Sequence, residues 1–145
     1  NLPYNITSRI LEKFLRREKR RPEEILITTQ KEFALRIIAS APRMNRIGIL
    51  VQYYGDPEII ATFPPSYFWP PPKVHSSLVR IKLRLPASLP LTRREENSLW
   101  DIIKTAFSQP RKMLRNSLAL TDPPFHKKRP QELTLNDWVA LLHSM

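Results

Sequence analysis

The chain has 145 residues and carries 24 Lys and Arg against 13 Asp and Glu, which gives a formal net charge of +11. This charge favours a polyanionic partner, nucleic acid before a membrane surface, and no apolar run is long enough to cross a membrane. The chain contains 2 Gly, 15 Pro and 0 Cys, so a glycine-rich phosphate loop, a disulfide framework and thiolate chemistry are excluded, and three scattered histidines predict no metal site.

The first part of the chain alternates between helical and strand patterns. Apolar residues at helical spacing follow a capping Thr7 or Ser8 and stop at Pro22. Short β-branched or strictly alternating runs predict strands, and the last of these strands has one apolar and one basic face. The predicted elements are a helix over 6–21, a strand over 25–29, helices over 30–40 and 47–54 with Gly55 as the residue that ends the latter, and strands over 58–63 and 79–85.

The second part of the chain is helical throughout. Pro86 to Pro90 is typical of a linker, and Thr92 with Glu95 predicts a capping box at the start of the next helix. Pro110 breaks that helix or opens another, and Thr134 caps the last one. The sequence therefore predicts an α/β part over 1–86 and a small all-helical part over 91–145.

The opening Asn1-Leu2-Pro3-Tyr4 is the sharpest chemical pattern. An adenine amino group is a poor nucleophile, and an Asn oxygen with a backbone carbonyl held by proline can accept both of its hydrogens. That geometry aims the nitrogen lone pair at a methyl donor, while an aromatic ring stacks on the flipped base. Taken alone, the same four residues are also typical of a plain turn.

Two further segments carry candidate functional residues. A stiff proline loop presents Phe68 and Trp69, which can form a second wall of a base pocket or plug a sheet edge. The segment 107–118 joins an apolar helix face to Arg111, Lys112 and Arg115, which can contact phosphates or form a solvated helix side. The basic end of the first helix can likewise contact RNA or form a solvated helix end.

Taken together, these segments resemble the ribosomal RNA small-subunit adenine dimethyltransferases of the KsgA type. The resemblance rests on Asn1 to Thr7, Gln30-Lys31-Glu32, Val51-Gln52-Tyr53-Tyr54, Phe63-Pro64-Pro65, Pro70 to Ser76, Phe107 to Leu118 and Arg129 to Leu133. The one departure is Pro110, where the family usually has Arg, which removes a cation and a backbone donor. The helical signature favours this branch over the related antibiotic-resistance methylases.

The resemblance implies the C-terminal part of a Rossmann-like class I methyltransferase sheet over 1–86, followed by a helical rRNA-binding domain over 91–145. It implies S-adenosylmethionine-dependent dimethylation of two adjacent adenines near the 3′ end of small-subunit rRNA, on the immature small subunit in the cytoplasm. Asn1 and Pro3 would hold the amino group, Tyr4 would stack, Phe68 would be the opposite wall, and Asn1 would also touch the cofactor. The implied RNA-binding residues are Arg16, Arg17, Lys19, Arg20, Arg21, Lys73, Arg111, Lys112 and Arg115.

The family's cofactor loop has no counterpart in this chain. The chain begins with Asn rather than Met, so we expect it to be a piece of a longer protein whose cofactor loop precedes Asn1. We expect this piece alone to be inactive and to expose a sheet edge through which copies can associate. Two alternatives stay open: a non-catalytic RNA-binding or assembly module, and an adenine methylase acting on large-subunit rRNA or DNA.

Overall fold

The computed structural model describes residues 3–16, 22–120 and 125–145. Its α-helices and strands confirm the predicted order, in which an α/β part is followed by a helical part. The elements are α1 (Thr7–Arg16), β1 (Glu24–Gln30), α2 (Lys31–Ile37), α3 (Arg46–Tyr54), β2 (Gly55–Phe63), β3 (Ser76–Leu83), α4 (Arg93–Ser108), α5 (Leu114–Ser117) and α6 (Leu135–His143). Short 3₁₀ turns lie at Pro65–Tyr67, Pro86–Ser88 and Pro130–Glu132.

The described strands form one sheet in the order β1-β3-β2, and β3 is antiparallel to both neighbours. β1 and β2 are therefore parallel to each other, and their carboxyl ends, Gln30 and Phe63, both pair with Ser76. Pro57 is tolerated within β2 because this strand lies at an edge of the sheet. Among the described strands β1 pairs only with β3, and the self-association predicted through this edge stays a prediction.

Several predicted boundaries shift because strand pairing extends the strands. β3 begins at Ser76 and β2 at Gly55, earlier than their alternating patterns indicate, since both ends are paired. Gly55 does follow α3, but its φ of −170° is extended, so it begins a strand instead of adopting a left-handed helix end. A side chain at Gly55 would place its Cβ 2.6 Å from the carbonyl oxygen of Lys82, which explains the need for glycine there.

The helices of the second part are shorter than the sequence pattern indicates after Pro110. α4 begins with the predicted capping box of Thr92 and Glu95 and ends at Ser108, while α5 is a single turn. α6 begins at a second capping box, formed by Thr134 and Asp137. The predicted helix over 6–21 is described only as far as Arg16, and its remainder lies outside the described residues.

Both parts contribute to one buried core. Tyr53 and Tyr54 of α3 contact Trp100 of α4, with ring centroids 5.4 and 6.0 Å apart, and Trp138 of α6 is fully buried in the same cluster. The helical part is therefore packed directly against α3. The division into domains at 1–86 and 91–145 stays a prediction.

Candidate nucleic-acid and base-binding site

The two most specific sequence segments meet at one end of the sheet. The Tyr4 hydroxyl lies 2.6 Å from the Ser76 hydroxyl, and either group can be the donor. Ser76 is fully buried at the start of β3, opposite Gln30 and Phe63 at the carboxyl ends of β1 and β2. In open α/β sheets ligands bind outside the carboxyl ends of the parallel strands. Tyr4 therefore lies where a ligand is expected for this topology.

The same end of the sheet is held together by backbone hydrogen bonds. The Lys31 amide donates to the His75 carbonyl over 2.9 Å, so the start of α2 is fixed to the end of the proline loop. A groove of about 390 Å³ lies beside this contact, lined by both polar and apolar residues. Its lining residues are Gln30, Lys31, Glu32, Leu35, Lys73, Val74 and His75.

Pro3 precedes the turn at residues 4–6 that leads into α1, and its carbonyl oxygen already accepts hydrogen bonds. It accepts from the Ile6 amide at 3.2 Å and from the Thr7 hydroxyl at 3.4 Å, which closes the turn that leads into the helix. A carbonyl oxygen has two lone pairs, so this arrangement leaves it no ready capacity for a further donor. Asn1, predicted to hold the amino group and to touch the cofactor, lies outside the described residues.

The proline loop presents its aromatic residues in different ways. Phe68 is half-buried, and its amide donates to the Pro65 carbonyl over 3.1 Å. Trp69 is 95% exposed, so its indole covers no sheet edge in the described structure. The ring of Tyr67 lies 5.9 Å from that of Phe63, which attaches the first turn of the loop to the end of β2.

Arg16 is the one predicted RNA-binding residue of the first helix that the structure describes. Its guanidinium lies 3.3 Å from Glu12 and stacks 5.5 Å from the ring centre of Trp100. Arg16 therefore has a packing role as well as a charge, since its side chain bridges α1 and α4. The predicted residues Arg17, Lys19, Arg20 and Arg21 lie outside the described residues.

The predicted cations of the helical part gather with a second basic run. Arg111, Lys112 and Arg115 are exposed. The Leu114 amide donates to the Lys128 carbonyl at 2.8 Å and the Arg115 amide to the His126 carbonyl at 3.0 Å, so the two runs lie side by side. We call this surface the helical basic patch; it comprises Arg111, Lys112, Arg115, Lys127, Lys128 and Arg129.

A cationic cleft between α3 and α4 was not apparent from the sequence. Two adjoining hollows of about 230 and 580 Å³ share Arg46 and Lys104. Arg16 lines the first hollow together with the acids Glu12 and Asp101, and Glu12 pairs with both Arg16 and Arg46. Arg36 and Arg111 line the second hollow, which holds no acid and extends to the helical basic patch. These cations come from separate elements and no local pattern connects them, so the signal that could have found them is the overall charge of +11.

A buried carboxylate fixes the spacing of this cleft. Glu96 of α4 is 4% exposed and accepts hydrogen bonds from the Tyr53 hydroxyl at 3.1 Å and the Tyr54 hydroxyl at 3.4 Å. Arg93 lies 3.3 Å from the same carboxylate. Burial, followed by the neighbouring charge of Glu96, raises the pKa of Tyr53 well above its usual range. The network attaches α3, which carries Arg46, to α4, which carries Lys104.

The segment Val51–Tyr54 thus has a structural role. The Gln52 side-chain amide donates to the carbonyls of Ile37 and Ala39, both at 2.9 Å, and so closes the end of α2. Arg84 donates to the carbonyls of Gln52, Tyr53 and Gly55 at the junction of α3 and β2. These residues hold the framework around the cleft.

The described residues do not by themselves fit S-adenosylmethionine. A nucleotide-type cofactor needs clustered glycines that let the backbone approach it. The Cβ positions of Gly48 and Gly55 are instead occupied by protein: they would lie 2.9 Å from the Arg36 carbonyl and 2.6 Å from the Lys82 carbonyl.

Within ranges 3–16, 22–120 and 125–145, no cluster of His, Cys, Asp and Glu could hold a metal. None of the helices described there is long and apolar enough to cross a membrane.

The family model for ribosomal RNA adenine dimethylase matches residues 1–141. The chain belongs to this family. A ribosomal RNA small subunit methyltransferase A from a Picosynechococcus strain is 38% identical across 97% of this chain, and the alignment covers 57% of that relative. The chain thus spans a little over half the length of this curated relative.

Solved structures confirm the Rossmann-like α/β fold of this family member. A dimethyladenosine transferase from Plasmodium falciparum superposes with a TM-score of 0.81 at 23% identity, covering 99% of this chain and 64% of that one. The 23S rRNA methyltransferase ErmE superposes with a TM-score of 0.73 at 21% identity, covering 98% of this chain and 62% of that one. At these identities the likeness supports the fold.

Proposed function

We propose that this chain provides the target-base and rRNA-binding portion of an rRNA adenine dimethyltransferase. The substrate would be two adjacent adenines near the 3′ end of small-subunit rRNA, on an immature small subunit in the cytoplasm. The observation that carries the proposal is the meeting of Tyr4 with Ser76 at the carboxyl ends of β1 and β2. This contact supports the proposal because Tyr4, the aromatic residue of the proposed catalytic pattern, lies beside Ser76 at the end of the sheet where this topology binds ligands.

At this site the chain's own residues would hold and orient the adenine. The hydrogen bond to Ser76 would fix the ring of Tyr4 for stacking, and Phe68 would form the opposite wall. The Pro3 carbonyl already accepts two hydrogen bonds, so we infer that this proline acts through its fixed backbone, which orients the preceding peptide. Asn1 would accept from the amino group, and S-adenosylmethionine would supply the methyl group.

The rRNA would lie along the cationic cleft and the helical basic patch. The cations that line the two adjoining hollows come from several elements, and one of them, Arg111, also belongs to the helical basic patch. Contacts of this kind neutralise phosphates, so binding would be steeply salt-dependent, with a slope of about −0.7 to −0.9 per phosphate contact. Lys73, beside the groove at the sheet end, would extend this surface toward the target base.

RNA binding can be tested on the chain as it is. We would measure affinity for a fragment of small-subunit rRNA with adjacent adenines at several salt concentrations. Lys104→Ala should weaken binding and reduce the salt slope by about 1, whereas Lys82→Ala removes the same charge from the outer end of β3 and should leave both unchanged. Equal effects of the two substitutions would contradict the proposed cleft.

Methylation needs a protein that also binds the methyl donor. We would join this chain to the part of the Picosynechococcus relative that the alignment leaves uncovered, and measure methyl transfer to unmethylated small subunits. Tyr4→Ala and Phe68→Ala should abolish transfer but preserve subunit binding, because both residues are assigned to the base pocket. Full activity of both variants would refute the assigned pocket, and mapping the methylated nucleotide would distinguish small-subunit rRNA from large-subunit rRNA or DNA.

One observation favours a second candidate, a non-catalytic RNA-binding or ribosome-assembly module. The described residues offer no nucleotide-cradling loop, because both glycines pack against protein backbone. Calorimetric titration of this chain with S-adenosylmethionine tests for a cofactor site directly. Absence of methyl transfer by the joined protein, with intact subunit binding and cofactor binding, would favour this second candidate.

A further inference from the structure

Trp69 stands apart from the other tryptophans of the chain. It is 95% exposed, whereas Trp100 is 6% exposed and Trp138 is fully buried. Large aromatic side chains normally contribute their area to a core or an interface. An indole exposed to this extent is therefore available as a contact surface.

The loop around Trp69 is stiff. It begins with a 3₁₀ turn at Pro65–Tyr67, closed by the Tyr67 amide donating to the Pro64 carbonyl over 3.2 Å, and the residues that follow Trp69 are Pro70, Pro71 and Pro72. Proline fixes its own φ and restricts the residue before it. The indole is thus presented with little conformational entropy left to lose, which favours binding.

The loop presents Phe68 and Trp69 differently. Phe68 is half-buried and its amide donates to the Pro65 carbonyl, whereas Trp69 faces solvent. If Phe68 forms a wall of the target-base pocket, Trp69 faces a different nucleotide.

The charge around the loop favours RNA as the occupant. Lys73 follows the prolines, and Lys31 and His75 line the adjoining groove, where the one acidic lining residue is Glu32. An exposed aromatic beside cations is the usual arrangement of single-strand binding surfaces, because every base has a face on which to stack. A duplex offers no such face.

We propose that Trp69 is a stacking platform for an unpaired base of the RNA substrate, distinct from the base placed against Tyr4 and Phe68. This inference rests on the proposed function and deepens it, because it requires that a second nucleotide beside the target be unstacked. Trp69 would be a positioning residue that fixes the register of the strand across the end of the sheet.

The test measures binding of the 145-residue chain to a short single-stranded RNA with two adjacent adenines and to a duplex of the same sequence. Trp69→Ala should weaken single-strand binding about fivefold or more and leave duplex binding unchanged. Trp69→Phe, which keeps an aromatic face, should retain most of the affinity. Leu85→Ala is the control: it removes an exposed apolar side chain beyond the opposite end of β3 and should leave both affinities unchanged.

Single abasic substitutions in the RNA locate the stacked base. At one position the loss caused by the abasic site and the loss caused by Trp69→Ala should not add, because both remove the same contact. Quenching of tryptophan fluorescence by RNA should disappear in Trp69→Phe, since the other two tryptophans are buried.

Unchanged single-strand affinity in Trp69→Ala, or an equal loss on duplex RNA, would overturn the inference. So would a concentration-dependent change of oligomeric state on substitution, which would identify a second copy of the chain as the occupant. Lys104→Ala separates this failure from failure of the proposed function. If Lys104→Ala weakens RNA binding and Trp69→Ala does not, only the stacking platform is wrong.

Discussion

Glu96 should control how firmly the helical part is attached to α3. Glu96→Ala would remove the acceptor of the Tyr53 hydroxyl and of the Tyr54 hydroxyl, both in buried surroundings. An unsatisfied buried donor costs about 1–3 kcal/mol. Tyr54 has a further interaction and its contact with Glu96 is long at 3.4 Å, so Tyr53 dominates and we expect a loss of about 2–3 kcal/mol in the free energy of unfolding.

Glu96→Gln separates charge from shape. It keeps an acceptor oxygen for one tyrosine but exchanges a charged hydrogen bond for a neutral one, so we expect a smaller loss of about 1–2 kcal/mol. Urea unfolding followed by circular dichroism gives both values. Asp101→Ala, which removes an exposed acid from the same helix, should change the stability by less than about 0.5 kcal/mol.

A double-mutant cycle checks the physical reason. Combining Glu96→Ala with Tyr53→Phe removes the stranded hydroxyl, so the combined loss should be smaller than the sum of the single losses by about 1 kcal/mol or more. Strict additivity, or a Glu96→Ala loss no larger than that of Asp101→Ala, would refute the view that Glu96 connects the two parts.

Three further outcomes are expected from the described contacts. Because its pKa is raised, Tyr53 keeps its proton in the folded state at a pH where the unfolded chain loses it. The free energy of unfolding should therefore fall as the pH rises above about 10, by about 1.4 kcal/mol per pH unit. Urea unfolding of Tyr53→Phe should lack this part of the pH dependence. Gly55→Ala should lower stability by about 1–3 kcal/mol in the same assay, since its Cβ would lie 2.6 Å from the Lys82 carbonyl, and no loss would mean that the backbone gives way. Pro110→Arg should steepen the salt dependence of RNA binding by about 1, and an unchanged slope would place this residue away from the phosphates.

Local patterns were sufficient to predict most of the secondary structure. Helical spacing identified α1, α3, α4 and α6, and the Thr92–Glu95 capping box lies where the sequence predicts it. The ends of the strands were harder to predict, because whether Gly55 and Ser76 belong to a strand depends on pairing partners far away in the chain. Pairing energy, rather than local propensity, decides these boundaries.

The same distinction between local patterns and long-range packing holds for the candidate site. Tyr4 and Phe68 could be proposed from the sequence because each lies in a compact pattern with its own chemistry. Arg46 and Lys104 were not, because each is an ordinary basic residue until the packing of α3 on α4 brings them to one cleft. A cationic surface assembled from several helices has a signature in the total charge but none in the order of residues.

Pro110 stands where the resemblance predicts Arg, and the surrounding structure accommodates it. The residue lies just after α4, in a turn where the Lys112 amide donates to the Gln109 carbonyl over 2.9 Å, so no helical hydrogen bond requires an amide at position 110. The lost cation is also not isolated, since Arg111 lies in the cleft and the backbone bonds of Leu114 and Arg115 bring the run at 127–129 alongside. Affinity for a phosphate backbone depends on the number of cations within reach more than on any one position. A proline at this point therefore reduces the charge of the helical basic patch by one without altering the path of the chain that presents the rest.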